Sequence, residues 1–230
     1  TSAAQDLFSQ TRLAAAGAST SSSASAHSKD EIWTALMVQA DGARRKGRPL
    51  GTWQFGFKNP QKIKKATELL GSGRPWRDQT RWNYVRFASE LLDAETKTLR
   101  LHNLGTSHVE TVLEALAFWD GRRIATKNET RVEYSSVNKI NVDALAAYFA
   151  RSGYATTTRL YRNCWRLIVN SRIFYDIRKD RHVRLIKTYD GEVGCVSVPS
   201  GHIMVRSGGR TWVTGNCQQM PKEASFLSAW

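Results

Sequence analysis

Two apolar stretches that each end in Asp-Gly constrain this chain more than anything else in it: Trp33-Thr34-Ala35-Leu36-Met37-Val38-Gln39-Ala40-Asp41-Gly42 and Leu113-Glu114-Ala115-Leu116-Ala117-Phe118-Trp119-Asp120-Gly121. Aligning residue 41 with residue 120, an offset of 79, also lays Phe55 on Tyr134 and brings Lys62-Ile63 within two residues of Lys139-Ile140. An offset held over that much chain marks an internal duplication, and each copy must then fold in the same order. In the first copy Ile32, Leu36 and Met37 lie at helical core spacing with Asp30 as the expected N-cap, and Trp53, Phe55 and Phe57 alternate as in a half-buried strand. A second helix over residues 61–70 closes at Gly71, and strand-like runs follow. The second copy repeats this as a helix over residues 107–119, a strand with Val132 and Tyr134, a helix over 141–151, and strands over 156–161 and 165–170. The predicted class is therefore α/β of the α+β kind, with antiparallel sheets.

Charge narrows the partners. Among 230 residues, 34 Lys+Arg stand against 20 Asp+Glu, a formal charge of +14 with a pI near 10.0. Such a surface attracts polyanions, nucleic acid above all. Membrane binding calls for a basic amphipathic helix, but here the arginines sit among aromatics in strand-like segments, as in Arg74-Pro75-Trp76-Arg77 and Arg81-Trp82-Asn83-Tyr84-Val85-Arg86. No run approaches the roughly 18 apolar residues of a membrane helix. The first residues lack the features of a signal peptide, and the absence of an initial Met gives the expectation of a fragment. Cys164, Cys195 and Cys217 form no CxxC pair, which excludes a disulfide framework or a closed zinc site and points to a reducing, cytoplasmic setting.

The repeated helix ends carry the chemistry. Small residues let two such helices pack side by side across a pseudo-twofold axis, so that their C-terminal aspartates meet. A carboxylate at a helix C-terminus faces the negative end of the dipole, and two together invite a divalent cation, for which hard oxygen ligands suit Mg²⁺. A metal shared by two carboxylates beside a basic sheet is suited to attack of water on a phosphodiester.

The stretches Leu36 to Gly42 and Leu116 to Gly121 resemble the two signature helices of LAGLIDADG homing endonucleases, over about residues 30–187. The resemblance implies a duplicated αββαββα saddle seated on double-stranded DNA, repeats at about 30–104 and 105–187, and a monomer acting as a pseudo-dimer. It makes Asp41 and Asp120 catalytic metal ligands, with Lys97, and less closely Lys187, as the lysine near the active centre. Arg77, Arg81, Arg86, Arg131, Arg159, Arg162 and Arg166 are the candidate DNA contacts on the strands.

Beyond Lys187 the composition turns to short Val- and Gly-rich strands and reaches Thr214-Gly215-Asn216-Cys217. An Asn amide can attack its own carbonyl carbon and cleave the chain, and a following Cys thiolate can accept an acyl group. Residues 189–217 resemble the C-terminal splicing blocks of an intein, the all-β Hint domain, in which an endonuclease is commonly embedded. This implies Asn216 as the cyclising residue and Cys217 as the first residue of the C-extein, with the extein occupying 217–230 and the splicing blocks 188–216. Gly215 stands where the family usually has His. His202 is a candidate proton donor, and Cys195 with Thr214 matches a class in which an internal Cys starts the reaction. Residues 1–29 are expected to hold a partial splicing segment and a Ser/Ala-rich linker, so an N-terminal intein piece and flanking exteins are the implied partners. The tail Cys217-Gln218-Gln219-Met220-Pro221-Lys222 resembles a segment of family A DNA polymerases, which implies a replication protein of a phage or bacterium as host. The competing reading is a duplicated nucleic-acid-binding module that has lost cleavage.

Overall fold

Described by the computed structural model are residues 12–14, 16, 27–44, 47–71, 81–125, 130–171, 174–176, 184–185, 198, 202–215 and 227–228. In chain order they form β1 (Arg12–Ala14), α1 (Lys29–Asp41), β2 (Ala43–Arg44), β3 (Thr52–Gly56), α2 (Pro60–Leu70), β4 (Arg81–Arg86), α3 (Val109–Trp119), β5 (Gly121–Ala125), β6 (Thr130–Ser136) and α4 (Lys139–Arg151). There follow β7 (Ala155–Tyr161), β8 (Cys164–Asn170), β9 (Phe174–Asp176), β10 (Arg184–Leu185), β11 (His202–Ser207), β12 (Arg210–Gly215) and β13 (Leu227–Ser228). The fold is α+β with antiparallel sheets: β2-β3-β4 in the first half and β11-β12-β7-β8-β6-β5 in the second, with β1-β9 and β10-β13 as two further two-stranded pairs.

Helix caps fix the repeat more tightly than the apolar pattern does. Asn59 accepts from the Gln61 amide at 2.9 Å to start α2, and Asn138 accepts from the Ile140 amide at 3.0 Å to start α4. These two caps stand 79 positions apart, as Asp41 and Asp120 do, so the alignment has no slip and Lys62 corresponds to Asn141. At α1 the cap is Ser28, whose hydroxyl accepts from the Glu31 amide at 3.1 Å, and not Asp30. Asp30 lies one residue inside the helix, where an acidic residue favours the positive end of the dipole.

One core joins the halves. Ile32, Ala35, Leu36 and Val38 of α1 and Val112, Ala115, Leu116 and Trp119 of α3 are buried together with Trp53 and Phe55 of β3, Tyr134 of β6, and Val142, Leu145, Ala146 and Phe149 of α4. Each buried Val, Leu or Phe stabilises by about 1.5–3 kcal/mol. Trp33 meets Phe118 edge-on at 5.5 Å and Trp119 at 6.3 Å, across the α1–α3 contact.

The halves diverge after their second helix. In the second half β6 pairs with β8, and β7 lies outside it. In the first half β3 pairs with β4, which makes β4 the counterpart of β8: Gly56 faces Arg81 as Ser135 faces Arg166. Residues 87–105 run as turns with isolated bridges, Ser89 to Leu92 and Leu92 to Leu99. Asp93 organises one of these turns, accepting from the Glu95 and Thr96 amides at 2.9 and 2.8 Å.

The C-terminal hairpin β11–β12 continues the second half's sheet. Arg210 of β12 faces Thr157 of β7, the Thr158 amide donates to the Gly209 carbonyl at 2.6 Å, and the Thr156 and Thr211 hydroxyls pair at 3.1 Å. A Cβ on Gly209 would lie 2.1 Å from the Thr158 carbonyl oxygen, so only glycine permits this approach. Arg206 reaches across to Asp143 of α4 at 2.7 Å and to the Thr158 hydroxyl at 2.6 Å. No helix among the described residues is long and apolar enough to cross a membrane.

Candidate active site

Asp41 ends α1, Asp120 follows α3, and the packing of the two helices brings their carboxylates together. Each chain leaves its helix through a glycine because a side chain does not fit. A Cβ on Gly42 would lie 2.6 Å from the Val38 carbonyl oxygen, and one on Gly121 would lie 2.8 Å from both the Leu116 and Glu133 carbonyl oxygens. The Asp-Gly pairs therefore turn the backbone at once from the carboxylate into β2 and β5, and both sheets begin at the same point.

Two lysines converge there. Lys62, from the first turn of α2, places Nζ 2.8 Å from Asp41 Oδ2 and lies 5.8 Å over the Trp119 ring. Lys97 donates from Nζ to the Gly42 carbonyl at 2.7 Å, from a backbone with φ of 58°, in the left-handed region. Buried Asn141 of α4 fixes that segment: its amide donates to the Lys97 carbonyl at 3.2 Å, and its carbonyl accepts from the Leu99 amide at 2.8 Å. The duplicated position thus holds a lysine in one half and, in the other, an asparagine that holds a lysine from elsewhere.

The charges are coupled. Asp120 keeps one side open to solvent, yet the surrounding protein and the Asp41 charge raise its carboxyl above the ordinary range, against the pull of Lys62 and Lys97. Desolvation lowers the Lys97 ammonium, while Asp120 and Asp41 support its charged form. Desolvation also pushes the buried Tyr134 hydroxyl up to about 12, with the Asp120 charge adding to the effect. Among the described residues no group of three or more His, Cys, Asp or Glu gathers. Two carboxylates completed by carbonyls, water and phosphate is a donor set that fits Mg²⁺, which keeps several waters and takes one or two carboxylates.

The other candidates fall into three sets. Arg81 and Arg86 are exposed on β4. Arg131, Arg159 and Arg166 share the face of the second sheet opposite its buried Val132, Tyr134 and Leu167, as the cross-strand register requires. Arg162 stands in the β7–β8 turn 5.5 Å from the Tyr161 ring, which Arg166 covers at 4.7 Å. His202 lies across the hairpin from Gly215, and Thr214 across from Ile203. Arg77, Lys187, Cys195, Asn216 and Cys217 lie outside the described residues.

Lys62 and Asn141 were not singled out as site residues from sequence. Lys62 was visible there as part of the repeat, but only the Asn59 and Asn138 caps reveal that it aligns with Asn141. Arg122 and Glu133 were also missed. Their signal is parity along the strands: on β6, Arg131 and Glu133 alternate with buried Val132 and Tyr134, which sends both charges to the sheet's open face.

No family model matches the chain. A relative in sequence is the ribonucleoside-diphosphate reductase subunit beta of Aquifex aeolicus (strain VF5), 28% identical over 205 residues, a match covering 79% of this chain. The chain spans 30% of that protein's length. In structure it overlays on the N-terminal LAGLIDADG domain of DUF199/WhiA with a TM-score of 0.41 and 10% identity, covering 65% of this chain and 79% of the other.

Proposed function

We propose that the chain cleaves duplex DNA by metal-dependent phosphodiester hydrolysis, with Asp41 and Asp120 as the ligands of a shared divalent cation. What supports this most is the meeting of the two helix-terminal carboxylates with Lys62 and Lys97 at the head of two basic sheets. A bound Mg²⁺ supplies Lewis acidity toward the phosphate oxygens and a more acidic water. The protein's own groups do the rest. Lys97, partly desolvated, offers a positive charge to a phosphate arriving beside Gly42, and Lys62 keeps the Asp41 carboxylate aimed. Arg81, Arg86, Arg159, Arg162 and Arg166 hold the flanking phosphates, which fixes the duplex over the carboxylates without reading its sequence.

Nicking of supercoiled plasmid in Mg²⁺ tests this. Asp41→Asn and Asp120→Asn are each expected to abolish nicking while duplex binding persists; nicking that survives in both variants refutes the assignment. A second reading, a duplex- or RNA-binding module without cleavage, draws on the Lys62–Asp41 ion pair, which already compensates one carboxylate. It requires wild-type protein that binds but never nicks.

We infer a second chemistry for the C-terminal segment: protein splicing by cyclisation of Asn216 ahead of Cys217, with an N-terminal piece completing the fold. The hairpin register supports it, because His202 lies opposite Gly215, the residue before Asn216. Cys195 and Thr214 retain the roles that the intein resemblance gives them, and a replication protein of a phage or bacterium remains the proposed host. Mass spectrometry of a precursor with its upstream coding region restored is expected to reveal flanks joined at Cys217, absent in Asn216→Ala. An intact wild-type precursor refutes splicing and leaves the carboxylate site standing.

A further inference from the structure

The duplication is not electrostatically symmetric. On the open face of the second sheet, Arg122 of β5 pairs directly across from Glu133 of β6 and donates to Glu133 Oε2 from Nε at 2.9 Å and from its terminal nitrogen as well. Arg131 approaches the other oxygen, Oε1, at 2.9 Å. The Glu133 side chain is 8% exposed and that of Arg122 66%, so a buried carboxylate holds two guanidinium groups, of which that of Arg122 stays largely exposed while the Arg131 Nε is buried. Arg166, Ser135 and Asp120 join Arg122 and Glu133 around a recess of about 280 Å³. At the matching positions of the first sheet Ala43 faces Gln54, and Thr52 stands for Arg131. Only Arg166 has a charged counterpart there, Arg81.

We propose that Arg122, fixed with Arg131 by Glu133, forms with Arg166 a phosphate-binding subsite confined to the second half, so that this half grips the backbone of a DNA duplex beside Asp120. A planar guanidinium already fixed by one carboxylate offers its remaining donors in the fork that phosphate oxygens fit, with little further ordering. The first half, neutral at the same positions, presents an amide at Gln54, a group suited to base edges. The second half therefore adds a prealigned phosphate grip that the first half, with Arg81 and Arg86 on its strand, does not repeat. This rests on the reading of the chain as a duplex binder.

The test is the salt dependence of binding to a fluorescein-labelled duplex of mixed sequence long enough to span both sheets, followed by anisotropy with the full chain. Each lost phosphate contact lowers the slope of log affinity against log salt by about 0.9. Arg122→Gln is expected to lower the wild-type slope by about one such step and Arg122→Gln/Arg166→Gln by about two. Gln54→Ala and Thr52→Ala leave the slope unchanged, and Arg122→Lys, which keeps the charge opposite Glu133, retains most of it. An unchanged slope in the double variant, or an equal fall in the first-half variants, overturns the subsite while duplex binding stands. Wild-type protein with no salt-dependent duplex affinity overturns the nucleic-acid reading itself.

Discussion

Replacing Gly121 by Ala isolates the geometry on which the carboxylate pair depends. Neither Gly42 nor Gly121 has a positive φ, so alanine meets no backbone penalty, and by restricting the unfolded chain it favours folding by about 0.4–1 kcal/mol. The cost is contact. An added Cβ at 121 meets the Leu116 carbonyl from its own helix and the Glu133 carbonyl from the neighbouring strand, each at 2.8 Å, with the Ala117 Cα at 3.1 Å. Two backbone segments must part, which puts the site toward the upper part of the roughly 1–3 kcal/mol that overpacking costs. Setting one against the other leaves a net loss of about 2 kcal/mol for Gly121→Ala. At Gly42 the close atoms belong to one residue, Val38, and the helix end can unwind to admit the methyl, so the expected loss is about 1 kcal/mol. For a chain of this size the Gly121 change corresponds to a fall in Tm of about 4–8 °C. Calorimetry or urea melts of the two variants, with nicking measured on the same samples, give the answer. If Gly121→Ala melts with wild-type protein and nicks as well, then the close approach of α3, β5 and β6 does not aim Asp120, and the reasoning fails.

Asn141→Ala leaves the Leu99 amide without its buried partner and is expected to cost about 1–3 kcal/mol in urea unfolding, with nicking reduced because Lys97 loses its anchor. Lys97→Gly removes the left-handed strain of roughly 1–2 kcal/mol, which offsets the added freedom of the unfolded chain, so stability stays within about 1 kcal/mol of wild type while nicking falls sharply; equal nicking would remove Lys97 from the site. The hairpin clip has a pH signature. Burial pushes the Asp143 carboxyl up, but hydrogen bonds and charges from Lys139 and Arg206 hold it below its ordinary value. A depressed carboxylate stabilises fully above the unfolded value of about 3.9 and loses that contribution as pH falls through the folded value. Protection of the Arg210 and Thr211 amides against exchange, relative to their intrinsic rates at each pH, is thus expected to fall in wild-type protein below that range, and to be low and insensitive to this titration in Asp143→Asn.

The element order was legible because apolar periodicity marked the helices and Gly42, Gly71 and Gly121 marked where they stop, whereas the starting caps Ser28, Asn59 and Asn138 emerged only from the structure. Periodicity located the buried faces, and the repeated Asp-Gly located the carboxylates. Pairing between strands far apart in sequence left no such mark. Nothing local says that β4 matches β8, or that residues 202–215 join the edge of β7, since those contacts are made by backbone groups that every residue carries. Lys97 was anticipated through family resemblance, whereas Lys62 and Asn141 required the exact register that the helix caps supply. Ser28 outcompeted Asp30 as cap because its hydroxyl, one turn ahead of Glu31, reaches the amide that the helix leaves bare.

The docking of β12 on β7 means that the second half is not a detachable insert. The strand leading to Gly215 takes its edge from residues 155–158, and the hairpin takes its side-chain tether from α4, so the backbone up to Gly215 is framed by the duplicated domain itself. A lineage, or an engineer, that trims this chain to its C-terminal segment would expose the β12 edge and release Arg206 and Thr211 from their partners. The stretch from Lys139 to Asn170 therefore has to stay for the hairpin to keep its partners.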